Sequence, residues 1–215
     1  LNNLEKVSLM FNRLRVLKNN SFPFSAQINE LYLFNCGIEV IEIKAFDGLT
    51  FLDELSLKGN NIKVLQNLSF HTLRSLTVLD LSKSRIEIIE YNAFLGLSNL
   101  IDLNLEENNL KSIEKYTFRH LKKLTSLNLE HAGIESIESQ AFDGLSNLLN
   151  LTQKNNQYKI LKNFTFESLI SITKLNLNDQ SIESIDSIAF DGLTNLLSLK
   201  LDFNKISLLK NFSFN

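Results

Sequence analysis

The sequence predicts a solenoid: nine copies of one strand-and-turn unit, stacked so that their strands form a parallel sheet. Three observations predict it. The pattern LxxLxLxxN returns every 24 residues, with its first position at Leu4, Ile28, Leu52, Leu76, Leu100, Leu124, Leu148, Ile172 and Leu196. The xxLxLxx core of each unit alternates apolar and polar residues, the period of a half-buried strand. A phenylalanine recurs at position 19 of every unit: Phe22, Phe46, Phe70, Phe94, Phe118, Phe142, Phe166, Phe190 and Phe214. A fixed period of this length marks a repeat array in which each unit buries its apolar side against its neighbours.

Within one unit, positions 1, 4 and 6 face the core and positions 3, 5 and 7 face solvent on the other side of the sheet. Position 9, where the chain leaves the strand, is Asn12, Asn60, Asn108, Asn156 and Asn204 in the odd units. An amide that both donates and accepts can satisfy the backbone groups buried at that turn. The even units carry Cys36, Ser84, Ala132 and Gln180 there. Ala132 offers no side-chain hydrogen bond, so a water or a local rearrangement must replace it. In the seventh unit Gln153 stands where a core leucine belongs, a local weak point. The phenylalanines should stack into a spine beneath the outer side, edge-to-face or offset.

The true period is 48. Even units carry acids at positions 12 and 15, as in Glu39/Glu42, Glu87/Glu90, Glu135/Glu138 and Glu183/Asp186. Odd units carry mostly bases there: Arg15/Lys18, Lys63/Gln66, Lys111/Glu114, Lys159/Lys162 and Ser207/Lys210. Stacking therefore sets acid beside base along one flank. Each exposed pair contributes only about 0.2–1 kcal/mol, so the pattern reads as register between units rather than as a partner site.

Composition narrows the function. A formal net charge of -2 provides no global field for nucleic acid or an anionic membrane. No run approaches the roughly 20 apolar residues that a membrane span requires, so this segment is expected to make no direct membrane contact. The one cysteine, Cys36, cannot form an internal disulfide and reads as a small buried residue. Leu1-Asn2-Asn3-Leu4 matches the internal junction Leu97-Ser98-Asn99-Leu100, and neither end carries capping sequence. The expectation is a single array over residues 1–215 with both caps missing, a piece of a longer protein.

The LxxLxLxxN strands continue into IxxIxxxAFxGLxxL, as in Ile38-Glu39-Val40-Ile41 followed by Ala45-Phe46-Asp47-Gly48-Leu49. This resembles the 24-residue extracellular class of leucine-rich repeat, found in Toll-type receptor ectodomains and in secreted insect leucine-rich immune or adhesion proteins. The resemblance implies an α/β solenoid curved into a horseshoe. The parallel sheet would line its concave face, and the convex face would be irregular or short-helical over the phenylalanine spine. It says little about ligand.

Five N-x-[ST] sequons occur, close to the roughly four that composition gives by chance. Their phase is more telling. Asn19, Asn67, Asn163 and Asn211 all occupy position 16 of odd units, on the outer side, and are the expected glycosylation sites. Asn150 lies on the sheet face, where a glycan would obstruct the surface near Gln153.

Candidate partner-binding residues fall on the concave face in two patches. Met10, Phe11, Tyr32 and Phe34 expose apolar area in the first units. Asp80, Asp102, Glu106, Glu107 and Glu130 form an acidic strip in the middle, suited to a basic partner segment. Catalytic motifs are absent, and His71, His120 and His131 occupy different repeat positions, so no metal or cofactor is expected. Aromatic and basic residues do not interleave on the sheet face as single-stranded nucleic acid would require. The expected function is non-enzymatic recognition of a protein ligand or co-receptor by an extracellular module, with homo- or heterodimerisation compatible. The alternative is an intracellular or matrix scaffold.

Overall fold

The computed structural model describes residues 3–23 and 27–209. Nine three-residue strands occupy positions 3–5 of the nine units: β1 Lys6–Ser8, β3 Glu30–Tyr32, β5 Glu54–Ser56, β7 Val78–Asp80, β9 Asp102–Asn104, β11 Ser126–Asn128, β13 Asn150–Thr152, β15 Lys174–Asn176 and β17 Ser198–Lys200. Nine short strands follow them on one flank: β2 Val16–Leu17, β4 Val40–Ile41, β6 Val64–Leu65, β8 Ile88–Ile89, β10 Lys111–Ile113, β12 Ile134–Ile137, β14 Ile160–Leu161, β16 Ser184–Ile185 and β18 Leu208–Leu209. The inner strands β1 to β13 pair in parallel with their counterparts one unit on, as in Leu31↔Leu55 and Leu55↔Leu79, as do β15 and β17. The flank strands pair in the groups β2–β4, β6–β8, β10–β12 and β14–β16–β18.

Alternation sets the core. In the fourth unit Leu76, Leu79, Leu81, Ile86, Phe94 and Leu97 are all buried, and the same positions repeat through the stack. The eighth residue of every unit turns the chain out of the strand with φ between 51° and 71°, from Phe11 to Phe203. Only one of these nine is glycine, Gly59, so the stack holds eight side chains in a left-handed conformation that they disfavour.

The outer side is built of turns, and no helix is present among the described residues. The short-helical convex face and the α component of the expected α/β class are therefore corrected. The reason lies in the outer segment itself. From position 15 to position 23 it closes single turns, for example Ala45 N to Glu42 O at 2.9 Å and Leu49 N to Phe46 O at 3.2 Å, without a second turn to propagate. In even units a glycine at position 21 ends these turns. At Gly144 (φ 94°) a Cβ would fall 2.7 Å from the carbonyl oxygen of Arg119 in the preceding unit, so only glycine permits that approach.

The phenylalanine spine forms. Consecutive rings from Phe94 through Phe118, Phe142 and Phe166 to Phe190 stack nearly parallel with centroids 5.7–6.0 Å apart, and Phe22, Phe46 and Phe70 continue the arrangement. Phe214 lies outside the described residues. These spacings exceed the roughly 4.8 Å between paired strands, so the stack curves with the sheet on its inner, concave side.

The asparagine ladder is also present. Asn60 donates through Nδ2 to Leu33 O (2.9 Å) and Leu57 O (2.6 Å) and accepts through Oδ1 from the N–H groups of Cys36 (3.0 Å) and Ile38 (2.9 Å). The buried Cys36 thiol donates to Leu9 O. Ala132 is accommodated by rearrangement: its N–H turns to Leu129 O (3.3 Å), where the Cys36 N–H instead donates to Asn60 Oδ1, and β12 lengthens with a register shift against β10.

Candidate functional site: the concave sheet face

The concave face is not continuous. At seven of the eight junctions between units the same four main-chain bonds form. Between the sixth and seventh units, for example, Leu149 N and Asn150 N donate to Thr125 O (2.9 Å each), Leu129 N to Thr152 O (2.7 Å) and His131 N to Lys154 O (2.9 Å). Between the seventh and eighth units none of the four forms, and the sheet divides into β1 to β13 and β15–β17. The flank stays closed there, with Glu183 N to Lys159 O at 2.7 Å, Asp186 N to Leu161 O at 2.9 Å and β14 paired to β16. The spine also continues, Phe166 to Phe190 at 6.0 Å. The junction is open on the concave side alone.

The cause is in the core beneath. Gln153 replaces leucine at position 6, and Tyr158 replaces isoleucine or leucine at position 11; both are buried. Both amide atoms of Gln153, the Tyr158 hydroxyl and Oε1 of Gln180 have no hydrogen-bond partner, four of the six such atoms among the described residues. Burial pushes the Tyr158 phenol far up from its ordinary value. Gln180 Nε2 reaches Gln153 O at 2.7 Å across the same distance in sequence that the shorter Ser84 hydroxyl spans to Leu57 O. A longer side chain thus bridges a wider gap. Gln153 was legible in the sequence as a break in pattern. Tyr158 was missed, although it is the one aromatic at position 11.

A cleft of about 450 Å³ follows from the opening, lined by residues 149–152 and 173–176 with Ser198 and Lys200. Its lysines, Lys174 and Lys200, were not singled out from the sequence.

The aromatic patch is placed at the other end. Met10, Tyr32 and Phe34 line one groove of about 560 Å³, together with Lys6, Ser8, Glu54, Ser56, Lys58 and Asp80. The Tyr32 hydroxyl donates to Glu30 (2.9 Å), Lys6 pairs with the same carboxylate at 2.6 Å, and the Lys6 ammonium sits 4.7 Å from the Tyr32 ring centre. The Lys6 and Tyr32 hydrogen bonds hold the Glu30 carboxyl below its usual range. Burial, with Glu30 and Glu54 nearby, raises the Tyr32 phenol well above its own. Phe11 stands apart at the left-handed turn beyond the strand, 71% exposed, with its ring edge-on to Phe34 at 4.8 Å.

The acidic strip is less uniform than its residues suggest. Asp80 lines the aromatic groove and accepts from Ser82 N at 3.0 Å, a turn-closing role shared by Asn104, Asn128 and Asn176. Glu107 lies past the strand and pairs with Lys83 at 2.9 Å, which raises the lysine pKa. Asp102, Glu106 and Glu130 remain half-buried on the sheet face.

On the flank the charge ladder pairs across units: Arg15–Glu39 at 3.2 Å, Lys63–Glu87 at 3.9 Å, Lys159–Glu183 at 3.2 Å and Lys162–Glu138 at 2.5 Å. Lys210 lies outside the described residues. The Asn19, Asn67 and Asn163 side chains accept through Oδ1 from the next unit's Lys44, Asn92 and Ile188 N–H groups (2.8–3.2 Å). The hydroxyls of Ser21, Ser69 and Thr165 donate to the carbonyls of Lys18, Gln66 and Lys162. Thr117 keeps that bond to Glu114 O where Lys115 replaces the asparagine. The recurrence of the sequon therefore has a structural cause of its own. Its bonds use Oδ1 and leave the glycan-accepting Nδ2 out of the ladder. Asn211 lies outside the described residues. His71, His120 and His131 hydrogen-bond in separate places, to Leu68 O, Asn92 and Asn155.

A curved stack of 24-residue units with a parallel inner sheet and an asparagine ladder defines a leucine-rich repeat solenoid. The chain belongs to the leucine-rich repeat family, whose pattern matches residues 2–62, 26–86, 52–110 and 74–134; the BspA-type leucine-rich repeat region matches residues 111–215. No curated protein matches the sequence. Among solved structures, the TLR13–ssRNA13 complex superposes on the whole chain with a TM-score of 0.84 at 28% identity, over 35% of the receptor chain. The Drosophila Toll–Spatzle complex covers 95% of the chain with a TM-score of 0.74 at 20% identity, over 30% of its own chain. An internalin, InlF, from Listeria monocytogenes covers 97% with a TM-score of 0.69 at 18% identity, over 60% of its chain. The chain thus spans about a third of the two receptor chains. No helix among the described residues is long and apolar enough to cross a membrane.

Proposed function

We propose that this chain is a non-enzymatic protein-recognition module, part of an extracellular receptor ectodomain or of a secreted immune or adhesion protein. The observation that carries the reading is the groove on the concave face, where Met10, Tyr32 and Phe34 present apolar area inside a rim of charged side chains. Such an apolar centre with a polar rim suits a protein ligand or co-receptor. Phe11, Asp80, Asp102, Glu106, Glu107 and Glu130 extend the contact surface. The likeness to two Toll-type structures supports the extracellular setting, and glycosylation at Asn19, Asn67, Asn163 and Asn211 belongs to it. The array reads as one segment of a longer protein.

The test is secretion from an animal cell line behind a supplied signal peptide, with intact mass before and after glycan removal and peptide mapping. Glycans at the position-16 asparagines support the reading. Failure to secrete, or secreted protein without glycans, would move the chain to the intracellular or matrix scaffold. The structure most similar in TM-score among those above holds single-stranded RNA, so RNA is the competing ligand. The groove sets Lys6 and Lys58 beside Tyr32 and Phe34, but Glu30, Glu54 and Asp80 stand among them, and carboxylates repel a phosphate backbone, which favours protein over RNA.

A further inference from the structure

We propose that the cleft opened between β13 and β15 is a docking site for an extended acidic peptide segment of a partner protein, an inference that rests on the chain being a protein-recognition module. Two independent features point to that occupant. The first is the main chain. The missing junction leaves Thr173 N, Lys174 N, Gln153 N and Asn155 N without the bonds their counterparts make elsewhere, facing the equally unused carbonyls of Leu149 and Asn176. Donors and acceptors thus lie unbonded along two strand edges, with Leu149, Asn155, Thr173 and Lys174 exposed and Gln153 buried, and this mix complements a peptide backbone. A sulfated sugar or a phosphodiester offers such an edge mainly acceptors.

The second feature is charge. Lys174 and Lys200 line the cleft, exposed, and neither has a carboxylate partner among the described residues. Register places Lys174 beside Ser198 and Lys200 beside Asn176, so the two ammonium groups lie on a diagonal across the floor. Asp202, the carboxylate next along the strand, is engaged by the Asn178 side chain at 3.1 Å. Asn150 and Thr152 line the same cleft and form a sequon. A glycan on Asn150 would occupy the site, so modification there would switch docking off.

Gln153 is the residue that holds the site open. It gives the site a control in which the lysines remain while the edges close: Gln153→Leu restores the apolar position found in the other units.

The experiment uses the full chain expressed in a bacterium, so that Asn150 carries no glycan. It is applied to an array of heptapeptides bearing one to three Asp or Glu, each beside its Asn or Gln twin. A labelled sulfated oligosaccharide and oligo-dT serve as anion probes. The expected result is capture of acidic peptides over their amide twins, reduced at least tenfold by Lys174→Glu/Lys200→Glu and by Gln153→Leu. Capture that survives both variants assigns binding elsewhere on the face and overturns the cleft while leaving the recognition reading intact. Equal capture of the twins, no capture at all, or tighter binding of either anion probe overturns the proposal. Secretion and glycan mapping, which do not involve the cleft, decide the broader reading separately.

Discussion

Two neighbouring junctions of the same solenoid behave in opposite ways. Between the sixth and seventh units all four sheet bonds form, over a core of Leu129, Ile134 and Leu151. Between the seventh and eighth none forms, over Gln153, Tyr158 and Gln180. The phenylalanine spine is intact at both, with Phe142–Phe166 at 5.7 Å and Phe166–Phe190 at 6.0 Å. At the second junction the flank strands β14 and β16 pair, whereas β12 and β14 at the first do not. The difference teaches that the inner sheet is not self-sustaining. Its hydrogen bonds close only where the side chains at positions 6, 9 and 11 let the units approach. The outer side holds the array together where they do not. In a solenoid stabilised by nearest-neighbour contacts, such a change stays local.

Several substitutions break or sharpen that contrast. The largest effect belongs to the spine. Phe118→Ala, inside the closed part of the stack, should cost about 3–5 kcal/mol, as for other fully buried aromatics, measured by urea unfolding. A loss below about 1 kcal/mol would show that the rings do not carry the outer side. Next, Leu129→Gln places the seventh unit's residue one unit earlier. It should cost about 3 kcal/mol through lost apolar burial and an unpaired amide and should expose the amides of Leu129 and His131 to exchange. The reverse change, Gln153→Leu, should raise stability by about 1–3 kcal/mol, because an unsatisfied buried amide is removed; an unchanged urea midpoint would count against the wedge. Tyr158→Phe removes only the orphaned hydroxyl and should gain about 1 kcal/mol, read from the same unfolding curves.

The smallest effect is a pH dependence confined to the closed region. Burial, then Arg119 and Lys122, lowers the His120 pKa. The folded state therefore favours the neutral ring, and its contribution is full above the unfolded pKa near 6.5. It is lost as pH falls through the lower, folded value. Thermal melts between pH 7.5 and 5 should show a decline that His120→Gln reduces, while leaving exchange at the open junction unchanged.

Much of this was legible in the sequence, because a repeat reports each structural requirement nine times. The leucine positions, the aromatic spine, the asparagine ladder and the paired flank charges all follow from side-chain period and chemistry. What the sequence did not reveal depends on geometry between units. The outer segments contain the AFxGLxxL pattern, consistent with a helical turn, but each is too short to propagate one. The exposure of Phe11 was read from strand alternation, whereas it arises at a left-handed turn beyond the strand. The acidic strip was counted as one surface, yet Glu107 is paired to Lys83 and Asp80 belongs to the aromatic groove. The cleft was hidden most completely. Gln153 signals a weak layer, but the absence of four main-chain bonds above it depends on the joint size of Gln153, Tyr158 and Gln180.

Hydrogen exchange of the main-chain amides, resolved by residue, tests the central claim most directly. The N–H groups of Gln153, Asn155, Thr173 and Lys174 should exchange rapidly, while those of Leu129, His131, Leu149 and Asn150, one unit earlier, stay protected. Equal protection at the two junctions would contradict an open sheet and would remove the cleft with it.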